Sequence, residues 1–293
     1  MNAMKKETIK KAYAKLNISL DVTDRRADGY HDMVMVMQTV SLCDELELTL
    51  DGSGTVRAET NLSFIPGDER NLAVKAAKLY LGRIGESGQG VHIAIRKRIP
   101  VGAGMGGGSS DAAAVLRAME RMYGGRVGRE ALMELAGETG SDVPFCLAGG
   151  TMLAKGRGEL LTELPEMPEC FYAICKPEFS VSTPELFKKF DKISKQRHPD
   201  TAGLLRALEA GELSQVCRRM YNVFEDVDDR RMRTVAAIKN ALLDHGALGA
   251  VMTGTGSAVF GVFSGREGAE RAALALKREY SFACVAENVK NLL

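Results

Sequence analysis

The stretch that most restricts how this chain can fold is PVGAGMGGGSSDAAAVL, residues 100–116, where Gly102, Gly104, Gly106, Gly107 and Gly108 precede Ser109, Ser110 and an alanine-rich run. Glycines at this density weaken any strand or helix, so the segment is a turn, and the alanines after it start a helix near Ser110. Before it, VHIAIRKRIP alternates apolar Val91, Ile93 and Ile95 with other residues, the period of a strand. The local unit is strand, glycine turn, helix. Backbone N–H groups converging in such a turn, with the unpaired N–H groups and positive dipole end of the helix, make a seat for an oxyanion, and phosphate is its natural occupant. No Gly-Lys-Ser/Thr closes the string, which excludes a Walker A loop. Nor does a suitable acidic partner follow about 20 residues later, as a dinucleotide fingerprint requires.

Charge narrows the ligand. Lys plus Arg (39) nearly cancels Asp plus Glu (38), so no global basic field favours nucleic acid or a membrane surface, and the expected partner is a small molecule. At 293 residues the chain is long enough for two domains, and LPEMPEC, with Pro165 and Pro168, marks the expected boundary between 1–164 and 165–293. No apolar run has the length of a membrane span, and MNAMKKETIKK lacks the apolar core of a secretion signal. Cys43, Cys146, Cys170, Cys175, Cys217 and Cys284 form no CxxC pair, so they are read as reduced and mostly buried in a cytoplasmic protein. His31, His92, His198 and His245 are scattered, with no zinc-type cluster.

The first half reads mainly as antiparallel sheet. In AYAKLNISLDV (12–22), Leu16, Ile18, Leu20 and Val22 alternate with Lys15, Asn17, Ser19 and Asp21, a half-buried strand with Lys15 and Asn17 on its polar face. Taken alone that pair reads first as a solvated face. After the polar turn DRRADG come Tyr30 and His31, able to stack on a flat ring and bond its edge, or merely to pack. Strands are expected at 33–40 and 44–50, and a helix after Pro66-Gly67 that stops at Gly82. In GSDVPFCLAGG (140–150), Asp142 lies in a loop, where a carboxylate can accept a proton, hold a cation, or simply cap a turn.

The second half reads strand, helices, strand, strand, helix, strand from Cys170 onward, the split βαβ order of ferredoxin-like domains with extra helices. Thr183 is expected to cap a short helix beginning at Pro184, with Phe187 one turn inside it. Gly254-Thr255-Gly256-Ser257 is a second turn suited to close backbone approach.

Together these motifs resemble the GHMP kinases: the glycine string resembles their phosphate loop and TGTGSAVFG their C-terminal glycine motif. AKLN, RADGYH, GGGSSDAA, GSDVPFCLAGG and STPELF are similar, in order and over nearly the whole length, to the branch that phosphorylates a cytidine diphosphate-linked methylerythritol in isoprenoid precursor synthesis. The resemblance implies an α+β fold of two domains, ribosomal-S5-like with a left-handed crossover and then ferredoxin-like, with the site in the cleft between them. It implies ATP and Mg²⁺, with the metal ligands unknown, and a monomer or weak homodimer. Carried over by position, Asp142 is the base and Lys15 its charged neighbour. Asn17, Tyr30, His31, Thr183 and Phe187 fall in the substrate pocket, with Tyr30 and Phe187 holding the cytosine ring between them. Asn71 and Lys97 lie near the adenine, and Pro100, Gly102, Gly104, Gly106, Gly107, Gly108, Ser109 and Ser110 surround the ATP. Asp111 stands where relatives often carry Asn, and its charge has to face Mg²⁺, solvent or a cation.

Overall fold

The computed structural model describes residues 6–194 and 196–293. The first five residues, part of the stretch read above for a secretion signal, lie outside the described residues. Two long strands, β1 (Lys6–Arg25) and β2 (His31–Leu50), pair antiparallel and form the spine of the first sheet. β2 is continuous where two strands were expected. At its middle the register jumps from Tyr13↔Cys43 to Ala14↔Val40, leaving an irregularity at Ser41 and Leu42 that bends the strand and breaks the alternation. Its two halves then serve different neighbours. Residues 45–50 pair with β4 (Val91–Arg96), and residues 33–38 pair with β5 (Thr151–Gly156), which continues to β6 (Leu160–Glu163).

A second irregularity, between Asn17 and Ser19, redirects β1. The apolar residues expected on one face divide: Leu16 and Ile18 enter one core, Leu20 and Val22 another. Each burial is worth about 1.5–3 kcal/mol, so both sides of this strand are firmly held. α1 (Leu72–Arg83), α2 (Gly107–Met122), α3 (Arg129–Thr139) and α4 (Val143–Ala148) contribute to the core that holds Leu20 and Val22. β3 (Val56–Thr60) runs parallel to β4 with α1 between them in sequence.

The second sheet has the order β11-β7-β10-β9, from β7 (Phe171–Lys176), β9 (Gly249–Met252), β10 (Val259–Phe263) and β11 (Phe282–Glu287). Its first strand lies between its third and its fourth, as the split βαβ order requires. α8 (Arg231–Asp244) and α9 (Arg266–Leu276) pack on it, while α5 (Thr183–Phe190), α6 (Thr201–Glu209) and α7 (Leu213–Arg218) fill the long connection. The expected boundary at 164/165 falls between β6 and β7. The halves nonetheless interleave: β8 (Tyr221–Asn222) joins β1 in parallel, and the tail returns through bridges at Val40↔Asn288 and Gly149↔Asn291. Leu16 and Ile18 share their apolar cluster with Tyr172, Ile174 and Phe260 of the second sheet. Among the described residues no helix is long and apolar enough to cross a membrane.

Candidate active site

The glycine turn is pressed between two neighbours. Gly104 has φ +75°, and a Cβ there would lie 2.2 Å from the Thr253 carbonyl oxygen. Gly106 has φ +69°, and a Cβ there would meet Lys15 Cγ at 3.0 Å. The first turn therefore docks on the second glycine turn and on β1 at once, and only glycine permits that approach. Thr253 links the three parts: its Oγ1 accepts from Asn17 N at 3.0 Å and lies 3.3 Å from both Gly104 O and Asn17 Oδ1. Asn222 Nδ2 donates to Met252 O and Gly254 O, both at 2.8 Å, and fixes the second turn.

Lys15 is buried, and its Nζ donates to Asn17 Oδ1 at 2.6 Å and stands 3.8 Å from Asp142 Oδ2. Asp142 immediately precedes α4, a helix where a loop was expected; its carboxylate caps nothing there and is one-third exposed. VPFCLA is buried throughout, so it shows no amphipathic period. Arg117 Nη1 donates to Cys146 O and Leu147 O at the helix's far end, while Lys75 Nζ donates to Glu138 O and Thr139 O just upstream. Burial pushes the Cys146 thiol up to about 12, so it stays protonated and is no rival nucleophile.

Two cavities meet at the turn, sharing Leu72, Gly102, Gly104 and Gly106. The larger, about 690 Å³, is lined by Lys15, Tyr30, His31, Ser109, Asp142, Thr183 and Phe187. The smaller, about 390 Å³, is lined by Asn71, Lys97, Pro100, Gly107 and Gly108. Several predicted residues are already committed. Ser110 Oγ donates to Tyr13 O at 2.6 Å and is turned away from both cavities. Asn17 is fully buried and reaches the larger cavity only through Lys15. Asn71 caps α1, accepting from Ala73 N and donating to Pro66 O. Lys97 lies between Asp44 and Asp111, 2.5 Å from each, so the Asp111 carboxyl faces a cation, one of the three neighbours expected for it.

The aromatic group differs from the sandwich expected of Tyr30 and Phe187. His31 stacks on Phe187, with centroids 4.6 Å apart and planes at 23°, and Phe224 meets Phe187 edge-on. His31 Nε2 is 2.7 Å from Asp191 Oδ1. Tyr30 is 58% exposed, with the Arg157 guanidinium over its ring at 5.2 Å. Thr183, expected as the cap of α5, is instead its first residue, with Ser182 at the cap position, and its hydroxyl is 2.9 Å from that of Thr255. Thr253, Thr255, Asn222, Arg157 and Asp191 went unassigned in the sequence reading. The second glycine turn pointed near the two threonines, whereas nothing local marks Asp191.

Comparison with known proteins defines the class. The model for the GHMP kinases N terminal domain matches residues 71–150, and that for the GHMP kinases C terminal matches residues 204–281. A homoserine kinase from Cytophaga hutchinsonii has the same fold, with a TM-score of 0.76 at 23% identity over 99% of this chain and 96% of that one. The chain belongs to the GHMP kinases. Relatives named 4-diphosphocytidyl-2-C-methyl-D-erythritol kinase from Syntrophomonas wolfei subsp. wolfei and Bacillus subtilis are 43% and 44% identical, over 92% and 87% of this chain and 94% and 87% of theirs. A crystal structure of 4-(cytidine 5'-diphospho)-2C-methyl-D-erythritol kinase matches with a TM-score of 0.79 at 34% identity, covering 97% of this chain and 98% of that one. Within the GHMP kinases, the chain belongs to the 4-diphosphocytidyl-2-C-methyl-D-erythritol kinase family.

Proposed function

We propose that the chain transfers the γ-phosphoryl group of ATP to the 2-hydroxyl of 4-diphosphocytidyl-2-C-methyl-D-erythritol, in the methylerythritol phosphate route to isoprenoid precursors. The observation that carries the assignment of roles is the Lys15–Asp142 pair, 3.8 Å apart on the wall of the larger cavity, where it joins the smaller one across the glycine turn. The Asp142 carboxylate accepts the hydroxyl proton as the oxygen attacks the γ-phosphorus, the bond to the β-phosphate oxygen breaks, and ADP leaves. Lys15 orients the hydroxyl and offsets charge on the transferred group, and Asn17 holds Lys15. Phosphoryl transfer asks mainly for positioning and charge neutralisation, which this pair and the N-terminal N–H groups of α2 supply.

ATP occupies the smaller cavity, with its phosphates along Gly104, Gly106, Gly107, Gly108 and Ser109. Asn71 and Lys97 shape the adenine end through the contacts they already make. The cytidine lies in the larger cavity beside His31, Phe187, Tyr30 and Thr183. Residues 1–164 form the ATP-binding domain and 165–293 the ferredoxin-like one, with the substrate between them. Mg²⁺ favours oxygen ligands and is usually held by one or two carboxylates together with substrate phosphates. Ser109, on the wall of the larger cavity, offers an oxygen ligand of that kind. When bound there the ion neutralises phosphate charge.

A coupled ADP-release assay with Mg-ATP tests the reading by comparing the cytidine substrate with homoserine and mevalonate. Turnover with the cytidine compound alone is the expected result. Turnover with either other alcohol, or with none, refutes the assignment.

A further inference from the structure

Phe64 is left without a role by the reaction above. It is the most exposed large apolar side chain among the described residues, at 70%, and it stands on the rim of the smaller cavity. The loop that carries it is pinned at both ends. Asn61 pairs with both backbone groups of Lys97, accepting from its N–H at 2.7 Å and donating to its carbonyl at 3.3 Å. Five and six residues on, Asn71 Nδ2 donates to Pro66 O at 3.0 Å and Ala58 N donates to Gly67 O at 2.9 Å. An anchored loop thus holds an uncovered aromatic ring at the mouth of a cavity whose floor is the phosphate turn. Ile65, Pro66 and Val101 continue the apolar rim on either side.

We propose that Phe64 is the stacking platform for the purine ring of the bound nucleotide. This rests on the reading that ATP occupies the smaller cavity. Rings stack on aromatic side chains through their flat faces, and a pre-anchored ring loses little freedom in doing so. The side chains of Lys97 and Asp111, which also line the cavity, are already engaged with each other at 2.5 Å. Face contact at the rim is accordingly the main source of grip on the ring, and Phe64 is a binding residue for ATP alone.

The chain contains no tryptophan, so Phe64→Trp introduces a single indole reporter. Titration of that variant with ATP and with ADP changes the indole emission saturably, whereas inorganic tripolyphosphate, which lacks a ring, leaves it unchanged. In parallel, Phe64→Ala raises the KM for ATP about tenfold, within the range of base–aromatic stacking measured by alanine substitution. Its KM for the cytidine substrate stays within twofold, and Phe64→Tyr retains the parent's KM for ATP. Saturable ATP binding by calorimetry with unaltered indole emission, or an unchanged KM for ATP in Phe64→Ala, overturns the stacking role while leaving the kinase reading intact. Failure of the parent chain to bind ATP overturns both.

Discussion

Asp111→Asn should make the enzyme's stability less dependent on pH, and the effect follows from counting charges beneath the glycine turn. Lys97 lies between Asp44 and Asp111, at 2.5 Å from each, and all three side chains are almost wholly buried. One ammonium and two carboxylates leave an uncompensated negative charge, which a proton removes at lower cost than burial in the charged form. Asp44 also accepts from Arg98 N and Ile99 N, while Asp111 Oδ1 has no partner. The proton therefore rests on Asp111, whose carboxyl is pushed up to about 8 by burial and then by Asp44, against the pull of Lys97. Burial works against the Lys97 ammonium too, but the two carboxylates outweigh it and hold its pKa above the ordinary lysine value. Unfolded, Asp111 titrates near pH 4, so between about pH 4 and 8 the folded state carries a proton that the unfolded state lacks. Stability falls as pH rises through that window, by about 1.4 kcal/mol per unit while the proton is fully held. Asn keeps the shape and cannot titrate. Urea unfolding of parent and Asp111→Asn at pH 5.5 and 7.5 should show the difference moving in the variant's favour by about 3 kcal/mol, with m unchanged. Parallel stability curves for the two proteins would refute the reasoning and place the proton elsewhere.

Asp142→Asn should lower kcat by about 100-fold or more with ATP binding near normal, the scale expected for loss of a general base, and near-normal turnover removes Asp142 from that role. Phe187→Ala deprives His31 and, in the proposed pocket, the cytosine of a stacking face, so the KM for the cytidine substrate should rise about tenfold while that for ATP stays within twofold; equal shifts in both argue against the pocket assignment. Gly104→Ala forces a Cβ against the Thr253 carbonyl at positive φ and should cost at least about 2 kcal/mol in chemical denaturation. Gly82→Ala, inside α1 with open space around it, should be neutral or slightly stabilising in the same assay, and equal losses in the two variants refute the docking argument.

Local chemistry explains which parts were legible in the sequence. The glycine turn declares itself because positive φ and close approach admit few other residues, and α2 follows it within three positions of the expected start. The second sheet follows from element order, since a split βαβ arrangement dictates which strands become neighbours. What stayed hidden depends on distant partners. The continuity of β2 requires knowing that an irregularity lies opposite Tyr13 and Ala14. The helix at 143–148 has no polar face to reveal its period. The Lys97 cluster joins residues 53 and 14 positions apart in the chain, so no window of sequence contains it.

The same dependence on partners explains why Lys15 and Asn17 read as a solvated face and are instead buried. Their strand is covered on that side by the glycine turn, through Lys15 N donating to Met105 O, and by Thr253 from the second half. Burial costs a lysine its hydration, so the ammonium needs acceptors. An amide at position 17 provides one at 2.6 Å without cancelling the charge, whereas a carboxylate there would form a tight ion pair and neutralise it. The nearest carboxylate, Asp142, stands back at 3.8 Å. In the proposed reaction, that spacing leaves the ammonium's positive charge available to a transferring phosphoryl group and the carboxylate available to a proton. Moving the negative group closer would strengthen the pair and weaken both functions, which gives a physical reason for an asparagine beside the lysine and an aspartate across the cavity.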